Sequence, residues 1–541
     1  MASQRQVALA WLTMLAALAV TSFAAPLRNA QDCVTPTLLK LVDQRVFPSA
    51  HQIQSTSVVT LQDRTTVTVA QDFSVTYYDT FKVVKNLNVK VNETYLLYQC
   101  GTTPPSDLAA YDLPANTKVL SIPLMSVSAE DTSILYFMKQ LGVADRVGYV
   151  TSYAVDPCMQ ALLAPGCGRN DSMATADVVD ATFTYGKNDK DATSIAFTAT
   201  ADPGPLNRAE HIKYVAAFFN REAIANTIFR TISAKYDATR QMVSSYVTST
   251  AAMKPLVAWI TYFPAYDSPS YKSPASIYLY FKAYRKDYTE DAGARTFDPI
   301  ALNATYGNGK TIRISSDRDI IFSDLDNTRA TLRTILKDVD VLIDESYYGG
   351  RNPTTITIDD FRTMYGFTAE SDMTDFKFLA TQRVLRLDGV ATNDGSQGWL
   401  EEAVARPDEV LRDLAGFFQP GAFVASNDPN SGPVAPRFAR TLFVSASKPS
   451  TVLVTSAAQC PANQLTCGGA PAPVCPAYYI DCSGKPTVAT ESQPCAPTCK
   501  PSVNTPAPVN QPGAAGRVAF APALLAALLA VALAAVAGFA C

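Results

Sequence analysis

The chain has 541 residues, 48% hydrophobic and 17% charged, with a formal net charge of −4. That length exceeds what one core fills, since single cores stop growing near ~250–300 residues, so more than one folded unit is expected. The acid-leaning balance and the lack of a basic run exclude nucleic acid as a partner, because phosphate binding needs clustered lysine and arginine.

Residues 1–24 hold one charge, Arg5, then an apolar run from Val7 to Val20, with Ser22, Ala24 and Pro26 behind it. This is the pattern of a secretory signal peptide cleaved after Ala24. An uncleaved anchor is the alternative, disfavoured because the run is short for a membrane span. Residues 25–116 read as a leader and an N-terminal β segment: "SVVTLQDRTTVTVAQDFSVTYYDTFKVV" and "TYLLYQC" are rich in β-branched residues and tyrosine.

Residues 117–204 form the first lobe. "TKVLSIPL" is a strand, and "SAEDTSILYFMKQLGVADRV" has helical spacing, with Ser128 and Asp131 resembling a helix-start cap. "RVGYV", "ADVVDATFTYG" and "TSIAFTAT" are further strands. Residues 205–247 form the interlobe helix, with Ile212, Val215, Ala216, Phe219, Ile224 and Ile228 on one buried face. Two helices with a break near Asn220 are the alternative. Residues 248–420 form the second lobe, with strands at 255–263, 341–343 and 382–389 and helices at 326–340 and 399–418. "YGNGK" (306–310) reads as a hairpin turn. Strand–helix alternation on both sides of a long helix predicts an α/β fold of two Rossmann-like lobes.

Residues 421–513 are rich in Pro, Ala, Ser, Thr and Cys and read as a stalk and linker. Residues 514–541 are an apolar tail with no basic flank after it. With small residues at Gly513, Ala514 and Ala515, this reads as a lipid (GPI) anchor signal near Gly513, a transmembrane tail being the alternative. Loss of both ends removes Arg5 and Arg517 and takes the charge from −4 to −6.

Of eleven cysteines, Cys541 leaves with the tail and ten remain, an even number that suits disulfides in a secreted chain. Cys158 and Cys167 are close enough to pair locally, which leaves Cys33 and Cys100 for each other. Cys460, Cys467, Cys475, Cys482, Cys495 and Cys499 crowd the stalk. Sequence does not fix this connectivity. A zinc site there lacks histidine and paired CxxC spacing. Sequons at Asn92, Asn170 and Asn303 suggest glycosylated, solvent-facing loops.

Catalysis finds little support. The only histidines are His51 and His211, so a Ser-His-Asp arrangement and a His-rich metal site are both poorly supplied. Asp344 and Glu345 are adjacent on a strand and point to opposite faces. Glu401 and Glu402 are adjacent on a helix and diverge. Binding has better support: Tyr149, Tyr153, Phe183, Tyr185, Tyr262, Phe263, Tyr347 and Tyr348 all follow strand ends, where open α/β sheets meet ligands.

The segments "VLSIPL…DTSILYFMKQLGVADRVGYVTSY", "ADVVDATF" and "DPGPLNRAEHIKYVAAFFNREAIANTIF", followed by "LKDVDVLIDES" and "GWLEEAVARPDEVLRDL", resemble the substrate-binding proteins of bacterial siderophore and cobalamin importers (class III periplasmic binding proteins). The chain is similar to the eukaryotic secreted branch of that family, which includes cobalamin acquisition proteins of algae. The resemblance covers roughly residues 57–420. It implies two lobes on a rigid helical backbone, a cleft between them that closes only slightly, and no catalysis. It implies a small-molecule ligand, cobalamin or a related corrinoid, taken up through an unidentified transporter or endocytic receptor. The residues it assigns to the cleft are Tyr153, Phe183, Tyr262, Phe263, Asn393, Asp394 and Trp399, with Trp259 placed there as well; strand-end position adds Tyr185 and Tyr347. The N-terminal β segment, the tyrosine-rich insertion 264–290 and the cysteine-rich stalk depart from the bacterial pattern. A ferric siderophore or haem is the alternative ligand, and an adhesive surface glycoprotein with a vestigial cleft is the alternative of another class.

Overall fold

A computed structural model describes residues 46–47, 64–164, 168–173, 179–268, 272–425, 436–443, 452–460, 478–480 and 486–488. The signal peptide, Cys33, Cys167, Cys467, Cys475, Cys482, Cys495, Cys499, Gly513 and the apolar tail lie outside the described residues. Among the described residues, no helix is long and apolar enough to cross a membrane.

Strands β1 (Phe73–Tyr77), β2 (Phe81–Asn86), β3 (Glu93–Gln99) and β4 (Lys118–Ile122) form one sheet in the order β1-β2-β3-β4. The expected division at residue 116 falls inside this sheet. Strand β4, taken as the opening of the first lobe, lies parallel to β3. Its alternation buries Lys118, Leu120 and Ile122 and exposes Val119 and Ser121. Phe73, Val84, Tyr95, Leu97, Leu120 and Ile122 share a single core with the first-lobe helices, so the N-terminal strands are part of that lobe.

Next come β5 (Val127–Ala129), α1 (Leu135–Gln140), β6 (Val147–Val150), α2 (Pro157–Leu163), β7 (Ala181–Thr184) and β8 (Ser194–Ala196). Their strands form an all-parallel sheet in the order β6-β5-β7-β8. Ser128 is therefore a strand residue and caps no helix. The cap is Asp131, whose side chain accepts the Ser133 backbone N–H at 2.8 Å.

The expected single helix is two: α3 (Pro205–Phe219) and α4 (Glu222–Thr250). Asn220 breaks it in the left-handed region at φ 54°, a conformation asparagine tolerates. Its backbone N–H returns to the Ala216 carbonyl, and its side chain accepts from Lys82 Nζ and donates to Gln99. Helix α3 is buried over most of its surface, with Glu210, His211 and Lys213 buried among its apolar residues, whereas α4 buries a stripe through Ala225, Phe229, Ile232, Tyr236 and Val243.

The second lobe comprises β9 (Val257–Phe263), a short hairpin of β10 (Tyr266–Asp267) and β11 (Lys272–Ser273), β12 (Ser276–Tyr280), α5 (Ala283–Asp291), α6 (Pro299–Tyr306), β13 (Ile312–Ile314), β14 (Ile320–Ser323), α7 (Leu325–Leu336), β15 (Val341–Asp344), α8 (Ile358–Tyr365), β16 (Val384–Arg386), β17 (Val390–Thr392), α9 (Gly398–Glu401), α10 (Pro407–Phe418), β18 (Arg440–Thr441) and β19 (Leu453–Thr455). The main sheet has the order β13-β14-β12-β9-β15-β16-β18, with β9, β15 and β16 parallel. Residues 306–310 join α6 to β13 and make no hairpin.

This lobe continues past residue 420, where the stalk was expected to begin. β18 pairs with β16, and β19 lies parallel to β17. The reason is buried charge. Arg386 lies between Asp344 and Asp388 at 2.6 and 2.7 Å, and Arg440 of β18 reaches Asp388 at 2.6 Å. A buried carboxylate needs a cation and hydrogen bonds at hand, and β18 supplies the second cation.

Candidate functional site

The loop after β6 carries Tyr153 and ends in Asp156, which caps α2 by accepting the backbone N–H groups of Cys158 and Met159. From the second lobe, the loop after β15 carries Tyr347, 37% exposed, and the loop after β17 carries Asn393 and Asp394, both exposed. These loops are electrostatic neighbours. Burial first, then Asp171 and Asp394 nearby, raise the Tyr153 hydroxyl above its ordinary range. Burial, then Tyr153 and Asp394, raise Tyr347 in the same way. Gly350, at φ 74°, lets the backbone pass close by: a Cβ there would sit 3.2 Å from the Tyr347 hydroxyl and 3.5 Å from the Asp394 carbonyl. Asn352 Nδ2 donates to Asn393 Oδ1 at 2.9 Å, which ties the two second-lobe loops together.

Beside this lies a second contact zone between the lobes. Arg208 of α3 stacks on Tyr284 of α5, its guanidinium carbon 3.6 Å from the ring centroid. Arg285 lies 4.5 Å from the same ring and donates from Nε to Glu345 Oε2 at 2.7 Å. Glu345 Oε1 accepts the Trp399 indole N–H at 3.1 Å. Tyr185, 45% exposed, is an electrostatic neighbour of Arg208 and Asp131.

The expected site residues therefore divide. Tyr153, Tyr347 and Asp394 come together, with Asn393 bound to the same loop pair. Tyr185 sits at the arginine zone. Tyr262 is half-buried against Tyr365 and lines a cavity of about 480 Å³ with Tyr348, Arg329 and Arg351. Phe263 packs on Tyr278 at 4.9 Å, half-buried. Phe183 is corrected: it is fully buried between Phe218 and Phe219 and belongs to the first-lobe core. Trp259 is corrected likewise, at 1% exposure with its indole N–H on Thr289. Trp399 is 9% exposed and packs on Trp259 and Tyr288 at the edge of the second-lobe core, with its indole N–H on Glu345.

Sequence reasoning missed Arg208, Tyr284, Arg285 and Glu401. Glu401 accepts the backbone N–H groups of Val155 and Asp156 in the other lobe, at 2.7 and 2.9 Å, while Glu402 turns to Arg437. Burial pushes the Glu401 carboxyl up to about 8, against the pull of those two amides. The disulfide expectation is also corrected. Cys158 is bonded to Cys460, 302 residues away, because α2 packs on the turn at 457–459. Cys100 is disulfide-bonded. Asn92 is exposed, Asn170 is half-buried, and Asn303 stands on α6, not in a loop.

The arrangement offers stacking rings, guanidinium groups and amides. Among the described residues, no group of three His, Cys, Asp or Glu side chains could hold a metal ion. His211 is buried in the first-lobe core, 3.1 Å from Asp202 and packed on Phe73.

No family model matches the chain, and no curated protein matches it. Solved structures similar to it include a periplasmic binding protein from Veillonella parvula DSM 2008, at 12% identity and TM-score 0.33, over 56% of this chain and 87% of that one. A periplasmic heme-binding protein from Pseudomonas aeruginosa is similar at 12% identity and TM-score 0.36, over 55% and 93%. The periplasmic heme-binding protein RhuT from Roseiflexus sp. RS-1 is similar at 13% identity and TM-score 0.30, over 55% and 98%.

Proposed function

We propose that the chain is a secreted, surface-anchored binding protein, with no catalytic step, that captures cobalamin or a related corrinoid between its lobes for uptake. The observation that supports this most is the meeting of Tyr153 from one lobe with Tyr347 and Asp394 from the other. Two phenols and a carboxylate close enough to feel one another across a lobe boundary suit a broad, flat ligand with amide edges: the rings would stack on it, and Asp394 and Asn393 would take hydrogen bonds. Tyr284, the two arginines on it and Trp399, joined to Arg285 through Glu345, would add apolar area and charge from the neighbouring zone. Retention at the membrane would come from the lipid anchor near Gly513 or a C-terminal helix, and delivery from a transporter or endocytic receptor.

Calorimetric titration of the full chain with cyanocobalamin, with hemin and a ferric siderophore as competitors, tests the reading. Saturable cobalamin binding is expected, with a loss of about tenfold or more when Tyr153 and Tyr347 are both replaced by alanine, each ring contributing ~1 kcal/mol. Binding of hemin or the siderophore in place of cobalamin would reassign the ligand. No binding of any of the three, to a chain that is folded, would overturn the reading.

A further inference from the structure

Residues 398–406 straddle the lobes: Trp399 and Ala403 stay in the second-lobe core, while the rest of the segment reaches the first. Val404 and Ala405 join the first-lobe core, and Arg406 Nη1 donates to the Tyr136 hydroxyl at 2.7 Å. In that segment Glu401, 2% exposed, holds the amides of Val155 and Asp156. Cys158 follows with its bond to Cys460, and then Gln160, whose Nε2 donates to Thr455 Oγ1 at 3.0 Å. Because β19 lies along β17, Thr455 and Cys460 move with the second lobe. The Glu401, Cys158 and Gln160 crossings fall on the short stretch that follows Tyr153. The same stretch is tied to its own lobe through Asp156, which pairs with Lys139 at 2.6 Å.

We propose that Glu401 and the Cys158–Cys460 bond form a latch, a second joint between the lobes independent of α3–α4, and that it fixes the loop bearing Tyr153 at the edge of a cleft of preset width. Swinging the lobes apart at this edge would strip the Val155 and Asp156 amides of a buried acceptor and strain a covalent bond. Each is costly next to the weak contacts that normally part in hinge closure. A ligand then meets walls already in place and does not have to order them. Glu401 is a positioning residue: it reaches the site through the backbone of Val155 and Asp156.

The ligand arm of the test rests on the proposed function; the other two arms do not. In the full chain, hydrogen exchange is followed across residues 151–160, and the interlobe distance is read between labels at exposed Lys190 and Lys310. The variants are Glu401→Ala, and Cys158→Ser combined with Cys460→Ser. Exchange at 151–160 is expected to quicken by about tenfold or more in each, as local opening becomes easier. The distance distribution should broaden, and cyanocobalamin should bind about tenfold more weakly. Glu401→Gln, which keeps one acceptor, should fall between wild type and Glu401→Ala. Unchanged exchange and distance in the folded variants would overturn the latch. If the cysteine pair fails to fold, Glu401→Ala decides alone. If wild type ignores cyanocobalamin, the proposed function fails while exchange and distance still decide the latch.

Discussion

The lobes are joined in two places by different means. At α3–α4 the joint is continuous backbone, held by a left-handed Asn220 whose side chain meets a buried lysine. At residues 398–406 and Cys460 the joint is made after folding, from one carboxylate, two amides and a disulfide. The first needs only its own lobe, whose Lys82 and Gln99 close on Asn220. The second needs both lobes folded and correctly placed. Stability should therefore reside mainly in the first joint, and control of the cleft in the second.

The largest expected departure from that contrast comes at Asn220. Asn220→Ala puts a Cβ-bearing residue without a side-chain acceptor into the left-handed region and removes a partner from the Lys82 ammonium. A loss of about 3 kcal/mol is expected by urea denaturation, ~1 from backbone strain and the rest from the charged hydrogen bond. Exchange at 151–160 should stay native in the folded fraction; if it rises as it does in Glu401→Ala, the two joints are not separable.

The next effect is one of pH. The folded Glu401 carboxyl stands near 8, raised from its model-peptide range near 4.5 by burial, with Asp156 and Glu402 adding like charge. A carboxyl raised on folding favours the folded state most below its unfolded value, and that contribution is lost as pH climbs toward the folded value. Wild type should lose stability between about pH 4.5 and 8 more steeply than Glu401→Gln. Parallel curves from thermal melts would show that the amides, not burial, govern the group.

The smallest effect is spectroscopic. Trp259 is sealed in the second-lobe core, whereas Trp399, 9% exposed, binds Glu345 of the arginine zone. Ligand should change the fluorescence of Trp259→Phe and leave that of Trp399→Phe nearly flat; the reverse would exchange their places.

Much of the frame was legible in the sequence. The helical spacing from Ile212 to Ile228 marks a helix with a buried face, and the apolar run Val341 to Ile343 marks a strand. Boundaries failed where a feature depends on distant partners. β4 reads as a first-lobe strand but takes β3 as its neighbour, and β18 is drawn back by Asp388. Phe183 shows the limit of reasoning from strand ends: position alone does not say which face a ring takes, and here the face belongs to Phe218 and Phe219. The latch left no signal at all. Glu401 and Val155 lie 246 residues apart, and the nearer Cys167 was the natural partner to expect for Cys158.

The Cys158–Cys460 bond also sets a route for mechanical load. A pull on the chain beyond Cys460 reaches a covalent link to α2 before it reaches the hydrogen bonds between β19 and β17. Force from that side would enter the first lobe through Cys158, and β19 would stay seated instead of being peeled from its partner.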